Sequence, residues 1–287
     1  MHLNLRKRAW VPTLVLLASC GTVPRTTVTE LPLAPPLAAA NDSLFARALE
    51  RAISSSGTIS IKELQSDTDL TAYLQQISRV RTDGFNTRAE LLAFWINTHN
   101  AYVLDMIRLN PARSVDDISG FRYAKIILTS DGQRYSLDDI EHTILEHQFR
   151  EPRAFFALFD GSRSSPTLLD EPYSGEHLSE QLDTQCRAFL ADSSKNYLDR
   201  RANTLYLSKI FQDYSSSLEE MASEPLTTLV RDFAPPTISE WISRHSKLTI
   251  SYLRYDDAIN SSDYGYNNSS SYERKPTTPR KTSGGIR

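Results

Sequence analysis

One segment limits the possible folds of this chain more than any other: TRAELLAFWINTHNAYVLDMIRLN, residues 87–110. The spacing of its apolar residues predicts a long helix. These residues include Leu92, Trp95, Ile96, Tyr102, Val103 and Ile107. They cover too much of the helix circumference for a surface helix, which would keep one polar face. We therefore predict that this helix crosses the core and that other elements surround it.

Shorter segments predict those surrounding elements. Asn41-Asp42-Ser43 is a good N-cap for an amphipathic helix, and Ser136 is a good cap for another. Apolar periodicity predicts helices at residues 44–53, 70–77, 136–149 and 177–191. Alternating or aromatic-rich runs predict a hairpin of 122–128 with 133–136 around the Ser130-Asp131-Gly132 turn, and strands at 154–159, from 205 and at 248–252. The expected class is α+β: a helix-rich single domain with a small antiparallel sheet.

Length and charge exclude some functions. A chain of 287 residues can bury one substantial core. Its formal net charge of -3 lacks the strongly basic character of phosphate recognition, so we predict no nucleic-acid partner.

The first twenty residues predict export and lipidation. Arg6, Lys7 and Arg8 precede an apolar run at residues 9–18, which is typical of a secretory signal peptide over residues 1–19. Leu17-Ala18-Ser19-Cys20 resembles the bacterial lipobox, in which cleavage exposes the Cys for acylation. The alternative is an ordinary secretory signal with a chance Cys. Lipidated Cys20 would anchor the protein in the cell envelope, at the periplasmic face of the outer membrane in a Gram-negative organism, since Gly21 follows it.

Composition divides the mature chain into three parts. Residues 20–41 are rich in Pro, Thr and Ala and predict an extended lipidated tether. Residues 42–259 form the expected domain. Residues 260–287 predict a disordered polar tail whose charges sum to +3. The tail is either simply solvated or touches an anionic surface or the domain itself.

Five segments carry a resemblance to a known family. AFWINTHNAYVLDMI, SLDDIEHTIL, EPRAFFALFDGSRSSP, LYLSKIFQDY and ISYLRYDDAIN resemble, in order, the consensus blocks of domain of unknown function 547. The resemblance extends from about Gly57 to Asn260. It implies an α+β domain, often in an envelope or secreted setting, and no established activity.

The third of these segments departs from the family pattern. That pattern has a His in the apolar run and two Cys in or after the loop, where this chain has Phe155, Asp160 and Ser165. A His/Cys pair would suit thiolate chemistry. The resemblance therefore implies a degenerate thiol-hydrolase-like site.

A working site would need substitutes for the missing pair. Ser165 or the neighbouring Ser164 could serve as nucleophile, and His142, beside Glu141 in the family's IEH motif, is the candidate base. A hydroxyl needs a well-placed base and an oxyanion site. His99 stands where the family has Tyr and inherits no role. An ordinary structural role is favoured for His99, His147, His177 and His245, and also for His142.

Other polar residues are candidates for organising or binding. Asn97 and Asn100 belong to the family's INxxN motif and, one turn apart, could brace a loop or orient a ligand. Arg153 could pair with Glu141 or Asp160, or lie exposed. Cys186 shares an apolar helical stripe, which indicates a core thiol of low reactivity. No HxxxH or CxxC pair is present, so we predict no metal, and no cofactor is implied.

Two hypotheses follow from these residues. The favoured one is a non-catalytic envelope lipoprotein that binds or scaffolds an envelope protein or a peptide. The alternative is a hydrolase or acyl-transfer enzyme that uses Ser165 or Ser164 with His142.

Overall fold

A computed structural model describes residues 35–130 and 132–264 of the chain. The predicted signal peptide, the anchor at Cys20, most of the tether, Asp131 of the hairpin turn and the tail from residue 265 lie outside the described residues. No helix in the described part is both long enough and apolar enough to span a bilayer.

The predicted core helix is confirmed as α4, Arg88–Leu109. Thr87 and Glu90 form a capping box, in which the side chain of each accepts a hydrogen bond from the backbone of the other. Fifteen residues of α4 are buried, among them Asn97, His99 and Asn100. The helix therefore carries polar side chains into the interior, where they must find partners.

The other helices follow in chain order. Before α4 come α1 (Asp42–Ala52), α2 (Ile61–Gln65) and α3 (Thr68–Ile77). After it come α5 (Leu178–Ala191), α6 (Lys209–Asp213), α7 (Ser215–Ala222), α8 (Leu226–Phe233) and α9 (Pro236–Arg244). The predicted N-cap at Asn41 is confirmed, since its side chain accepts from the backbone N–H of Ser43 at 3.1 Å.

The predicted helix at 136–149 is present in an unusual form. Its main part is a π-helix over Asp139–Phe149, entered through two α-helical residues, 137 and 138. Ser136 caps this entry, because its hydroxyl accepts from the N–H of Asp139 at 3.1 Å. The wider winding of a π-helix is often found at functional sites.

Two small sheets account for the strands. Strands β1 (Ile127–Leu128) and β2 (Arg134–Tyr135) form the predicted antiparallel hairpin, in shorter form. Strands β3 (Tyr197–Asp199) and β4 (Thr204–Leu207) are also antiparallel, but β4 and β5 (Thr249–Tyr252) are parallel. The expected all-antiparallel sheet is therefore mixed. Helices α6 to α9 return the chain to the end of the sheet at which β4 begins, so β5 runs in the same direction as β4. The helix-rich α+β class is confirmed.

The predicted strand at 154–159 is wrong. Pro152–Phe156 is a 3-10 helix, in which Pro152 occupies the first turn and Glu151 caps the N–H of Arg153. The aromatic residues that suggested a strand are buried by packing: Phe156 lies against Phe189 and Phe211. The Asp160-Gly161 turn is present, and Gly161 has a φ of +87°, where an added Cβ would collide with Ile107.

Ordered contacts extend beyond the expected domain limits of 42 and 259. Leu37 pairs with Val80 in a parallel bridge. At the other end, the hydroxyl of Tyr264 donates to the carbonyl of Ala112 at 2.6 Å. The end of the tether and the start of the tail are therefore part of the folded unit.

Candidate functional site

A cleft of about 620 Å³ opens where the two hydrophobic clusters of the domain meet. Its lining comes from α4, the loop before β1, the π-helix, the 3-10 helix and the turn after it, α6 and the segment after β5. The charged and polar lining residues are His99, Asp116, Arg122, Tyr123, Asp138, Glu141, His142, Asp160, Lys209, Asp213, Tyr214 and Tyr255. The volume suits a small ligand or one or two peptide side chains.

A buried imidazole and a buried carboxylate form the inner end of the cleft. His99 on α4 is 0% exposed and Glu141 on the π-helix is 5% exposed. Nε2 of His99 lies 3.1 Å from Oε1 of Glu141. The other ring nitrogen, Nδ1, lies 3.4 Å from Oδ1 of Asn100. Both nitrogens therefore face oxygen acceptors inside the protein.

The second oxygen of Glu141 binds two further side chains. Arg122 donates to Oε2 at 2.5 Å and the hydroxyl of Tyr214 donates to it at 2.7 Å. Burial alone would raise the pKa of Glu141, but the hydrogen bond from His99, the positive charge of Arg122 and the Tyr214 hydroxyl outweigh it and lower the pKa to about 2. Glu141 is therefore an ionised anchor that joins three side chains, those of His99, Arg122 and Tyr214.

His142 lines the cleft but lies outside this network. Its Nδ1 is 2.8 Å from Glu146 and its Nε2 is 3.7 Å from Asp138. Its ring stacks on Tyr214, with centroids 5.7 Å apart. The imidazole is 40% exposed and is held by carboxylates on its own helix.

The two candidate serines have structural contacts. The buried hydroxyl of Ser165 bonds to the carbonyls of Ser162 at 3.1 Å and Pro166 at 3.0 Å. The hydroxyl of Ser164 accepts from the N–H of Asp256 at 2.7 Å. Neither serine lines the cleft. The structure therefore does not bring Ser164 or Ser165 together with His142.

Two of the three positions where the family pattern differs do line the cleft. Phe155 packs against Tyr214, with ring centroids 4.6 Å apart. Asp160 accepts from the N–H of Ser162 at 2.8 Å and from the hydroxyl of Tyr255. A phenyl ring and a hydrogen-bonded carboxylate thus stand where the pattern has His and Cys.

Asn97 and Asn100 brace the loops that follow the 3-10 helix. Asn97 bonds to both backbone groups of Tyr173, donating to its carbonyl at 2.8 Å and accepting from its N–H at 2.9 Å. Asn100 donates to the carbonyl of Ala157 and accepts from the N–H of Phe159, both at 3.0 Å. Both amide ends of each asparagine thus bond to backbone, and Oδ1 of Asn100 also lies near Nδ1 of His99.

Arg153 binds partners that differ from those expected. It pairs with Glu151 at 2.8 Å and with Asp183 at 2.6 Å, and not with Glu141 or Asp160. The reason is that the 3-10 helix packs against α5, which supplies Asp183. On the same helix, Cys186 is 1% exposed, and burial raises the pKa of its thiol.

Sequence reasoning missed Arg122, Tyr214 and Tyr255, and it set His99 aside. Arg122 lies in the predicted hairpin, where it was read as a strand residue. Tyr214 and Tyr255 lie in the last two family-like segments, more than 70 residues from Glu141 in the case of Tyr214. Only His99, in a helix predicted to be wholly buried, gave a signal: a buried imidazole needs a partner.

The cleft is acidic. Its lining holds the carboxylates of Asp116, Asp138, Glu141, Asp160 and Asp213 against the bases Arg122 and Lys209, a formal balance of -3 with His neutral. Burial, followed by the neighbouring carboxylate of Asp257, raises the pKa of Asp116. Such crowding of like charges favours a positively charged ligand.

A family model for a protein of unknown function, DUF547, matches residues 83–190. The matched range includes His99, Arg122, Glu141 and Asp160 but ends before Tyr214 and Tyr255. No curated protein and no solved structure matches the chain significantly.

Proposed function

Residues 83–190 belong to the DUF547 family, and from this premise we propose that the chain is a lipid-anchored envelope protein whose cleft binds a cationic ligand without catalysing a reaction. The ligand class is a peptide or protein segment that carries Lys or Arg side chains.

One observation carries the non-catalytic part of the proposal. Among the described residues, the lining of the cleft includes no Ser, Thr or Cys. The buried pair of His99 and Glu141 has the composition of a general-base dyad, but no described Ser, Thr or Cys lines the cleft as a nucleophile for it to activate. Both nitrogens of His99 are also engaged, by Glu141 and Asn100.

The charge and shape of the cleft support a cationic ligand. Asp116 and Asp138 both line the cleft and come from two different segments, the loop before β1 and the start of the π-helix. Tyr123 also lines the cleft and is 69% exposed. An exposed aromatic face beside carboxylates can bind an ammonium or guanidinium group by a cation–π contact as well as by charge.

The envelope setting rests on the sequence of the first twenty residues. The basic residues, the apolar run and Leu17-Ala18-Ser19-Cys20 together support lipidation. Residues 21–41 would then separate the domain from the bilayer, which leaves the cleft free to meet a soluble or membrane-bound partner.

Binding of a fluorescein-labelled tetralysine peptide to the mature chain without its lipidated Cys20, residues 21–287, tests the proposal by fluorescence anisotropy. The matched variants are Asp116→Asn with Asp138→Asn, and the control Glu50→Gln with Glu176→Gln, which removes two exposed charges outside the cleft lining. We expect binding that weakens with salt. The cleft variant should bind about tenfold less tightly, which is the effect of losing about 1.4 kcal/mol, and the control should bind as the unchanged chain does.

Two results would overturn the proposal. One is the absence of measurable binding at low ionic strength. The other is an equal loss of affinity in the cleft variant and the control, which would assign binding to overall charge instead of the cleft.

A further inference from the structure

We propose that residues 265–287 of the same chain are an intramolecular ligand of the acidic cleft, which an external cationic ligand must displace. This inference rests on the proposed function, because it names the regulation of the same site. The segment lies outside the described residues, and its contribution is argued from its sequence and from where the described part ends.

The segment has the charge that the cleft lacks. It holds Arg274, Lys275, Arg280, Lys281 and Arg287 against a single acid, Glu273. Its formal balance is therefore +4, opposite in sign to the cleft balance of -3. Its two basic pairs, Arg274-Lys275 and Arg280-Lys281, flank the PTTP sequence.

The segment starts next to a stretch of chain that leads into the cleft lining. Tyr264, the last described residue, is fixed by its hydrogen bond to the carbonyl of Ala112 at 2.6 Å, and the guanidinium of Arg113 lies 5.5 Å from the centre of its ring. Ala112 is only four residues before Asp116. The Cα atoms of these two residues are therefore at most about 15 Å apart.

The length of the segment is sufficient for the first basic pair to reach the cleft. Arg274 comes ten residues after Tyr264, and ten residues can span at most about 35 Å. Tethering at this range gives an effective concentration in the millimolar range. Even if the segment binds the cleft weakly, its bound state would then be populated within one molecule.

Three acidic groups elsewhere in the described part are already paired with arginines. Asp67 and Asp69 pair with Arg51 and Arg47, and Asp83 pairs with Arg81. Asp116, in contrast, makes no ion pair with a described basic residue and has Asp257, Asp117 and Asp160 as charged neighbours. A guanidinium or ammonium group placed there would relieve this repulsion.

Zero-length cross-linking with a carbodiimide tests the contact in the mature chain, since it joins a lysine only to a carboxylate in direct reach. We expect Lys275 or Lys281 to be linked to Asp116, Asp138 or Asp213, at a yield independent of protein concentration and reduced by 0.5 M salt, which shortens the screening length to a few ångströms (roughly 4 Å). Lys62 and Lys247 lie outside the cleft lining and serve as internal controls, since we expect neither to be linked to the cleft carboxylates. Links from Lys275 and Lys281 spread over exposed acids such as Glu50 and Glu180, or links that grow with protein concentration, would overturn the inference.

A second measurement separates this inference from the proposed function. The variant Arg274→Gln, Lys275→Gln, Arg280→Gln, Lys281→Gln removes four tail charges without altering a described residue. Tetralysine should bind this variant at least threefold more tightly than the unchanged chain, because the internal competitor is gone. Equal affinity in both would overturn the inference and leave the proposed function standing, whereas no binding to either would overturn the proposed function itself.

Discussion

His99 and Glu141 face each other across the junction of α4 and the π-helix, with Nε2 of the imidazole 3.1 Å from Oε1 of the carboxylate. The amide of Asn100 is oriented by two backbone groups, the N–H of Phe159 and the carbonyl of Ala157, so its oxygen faces Nδ1 of the same imidazole. Both ring nitrogens of His99 therefore lie next to oxygen atoms of the protein. The pair therefore supports the wall of the cleft, and Glu141 stabilises it through Arg122 and Tyr214.

The first prediction concerns the stability that Glu141 contributes. Glu141→Gln removes the charge that holds Arg122 and His99, and we expect a loss of about 3 kcal/mol in the free energy of unfolding at pH 7. Because the folded pKa of about 2 lies below the ordinary 4.5, this contribution is complete above about pH 4.5 and is lost as the pH falls towards 2. Urea denaturation at pH 7 and pH 3 measures both effects, with Glu176→Gln as control. An unchanged urea midpoint at pH 7 would show that Glu141 does not stabilise the fold in this way.

The second prediction concerns Asp116, whose charged carboxylate lowers the stability of the fold where that of Glu141 raises it. The raised pKa of Asp116 means that its charged form is disfavoured in the folded state. Its cost appears as the pH rises above the ordinary value of 3.8. Asp116→Asn should therefore raise the thermal midpoint slightly at pH 7, by an amount limited by solvent screening, and should leave it unchanged at pH 3. A lower midpoint at pH 7 would mean that Asp116 makes a stabilising contact instead.

The third prediction concerns the serine hydrolase alternative. Since the hydroxyl of Ser165 is bound to two carbonyls and is 2% exposed, a fluorophosphonate probe should not label the mature chain. Mass spectrometry of the treated protein checks this result, with a known serine hydrolase as positive control. Labelling that disappears on Ser165→Ala or Ser164→Ala would restore the catalytic hypothesis.

The fourth prediction concerns the anchor. In a bacterial host, the full chain should incorporate labelled palmitate and sediment with membranes. Cys20→Ser should abolish both, because acyl chains are the proposed anchor. Cys186→Ser is the matched control and should leave both unchanged. Membrane association that survives Cys20→Ser would point to an anchor other than the acyl chains.

Periodicity was sufficient to predict α1, α3, α4 and α5, but not the short helices α2 and α6 to α9. The long run around Trp95 could only be a core helix, and the stripes in α1, α3 and α5 are typical of amphipathic helices. The run AFFALF misled for a physical reason: six buried residues in a row can be a strand or a packed turn, and Pro152 at its start decided for the 3-10 helix. The parallel pairing of β5 with β4 could not be predicted from the sequence either, because it depends on the path of the four helices between the two strands.

The site could be predicted only in part. Of the candidate site residues, Glu141, His142 and Asp160 line the cleft, whereas Ser164, Ser165, Asn97, Asn100 and Arg153 do not. Arg122 and Tyr214 could not be predicted. Arg122 is a charged residue in a predicted hairpin and Tyr214 follows a short helix, and neither has a local sequence pattern that indicates a buried network. Their roles arise from contacts between segments far apart in the chain.

The most direct test of the central claim is to locate a bound cation on the mature chain. In a ¹H–¹⁵N NMR titration with unlabelled tetralysine, we predict that the amide shifts concentrate at the cleft, around Asp116, Gly120–Tyr123, Asp138 and Asp213, and that they are lost in the Asp116→Asn, Asp138→Asn variant. Shifts confined to other surfaces, with the amides around Asp116 and Asp138 unmoved, would contradict the assignment of this cleft as the binding site.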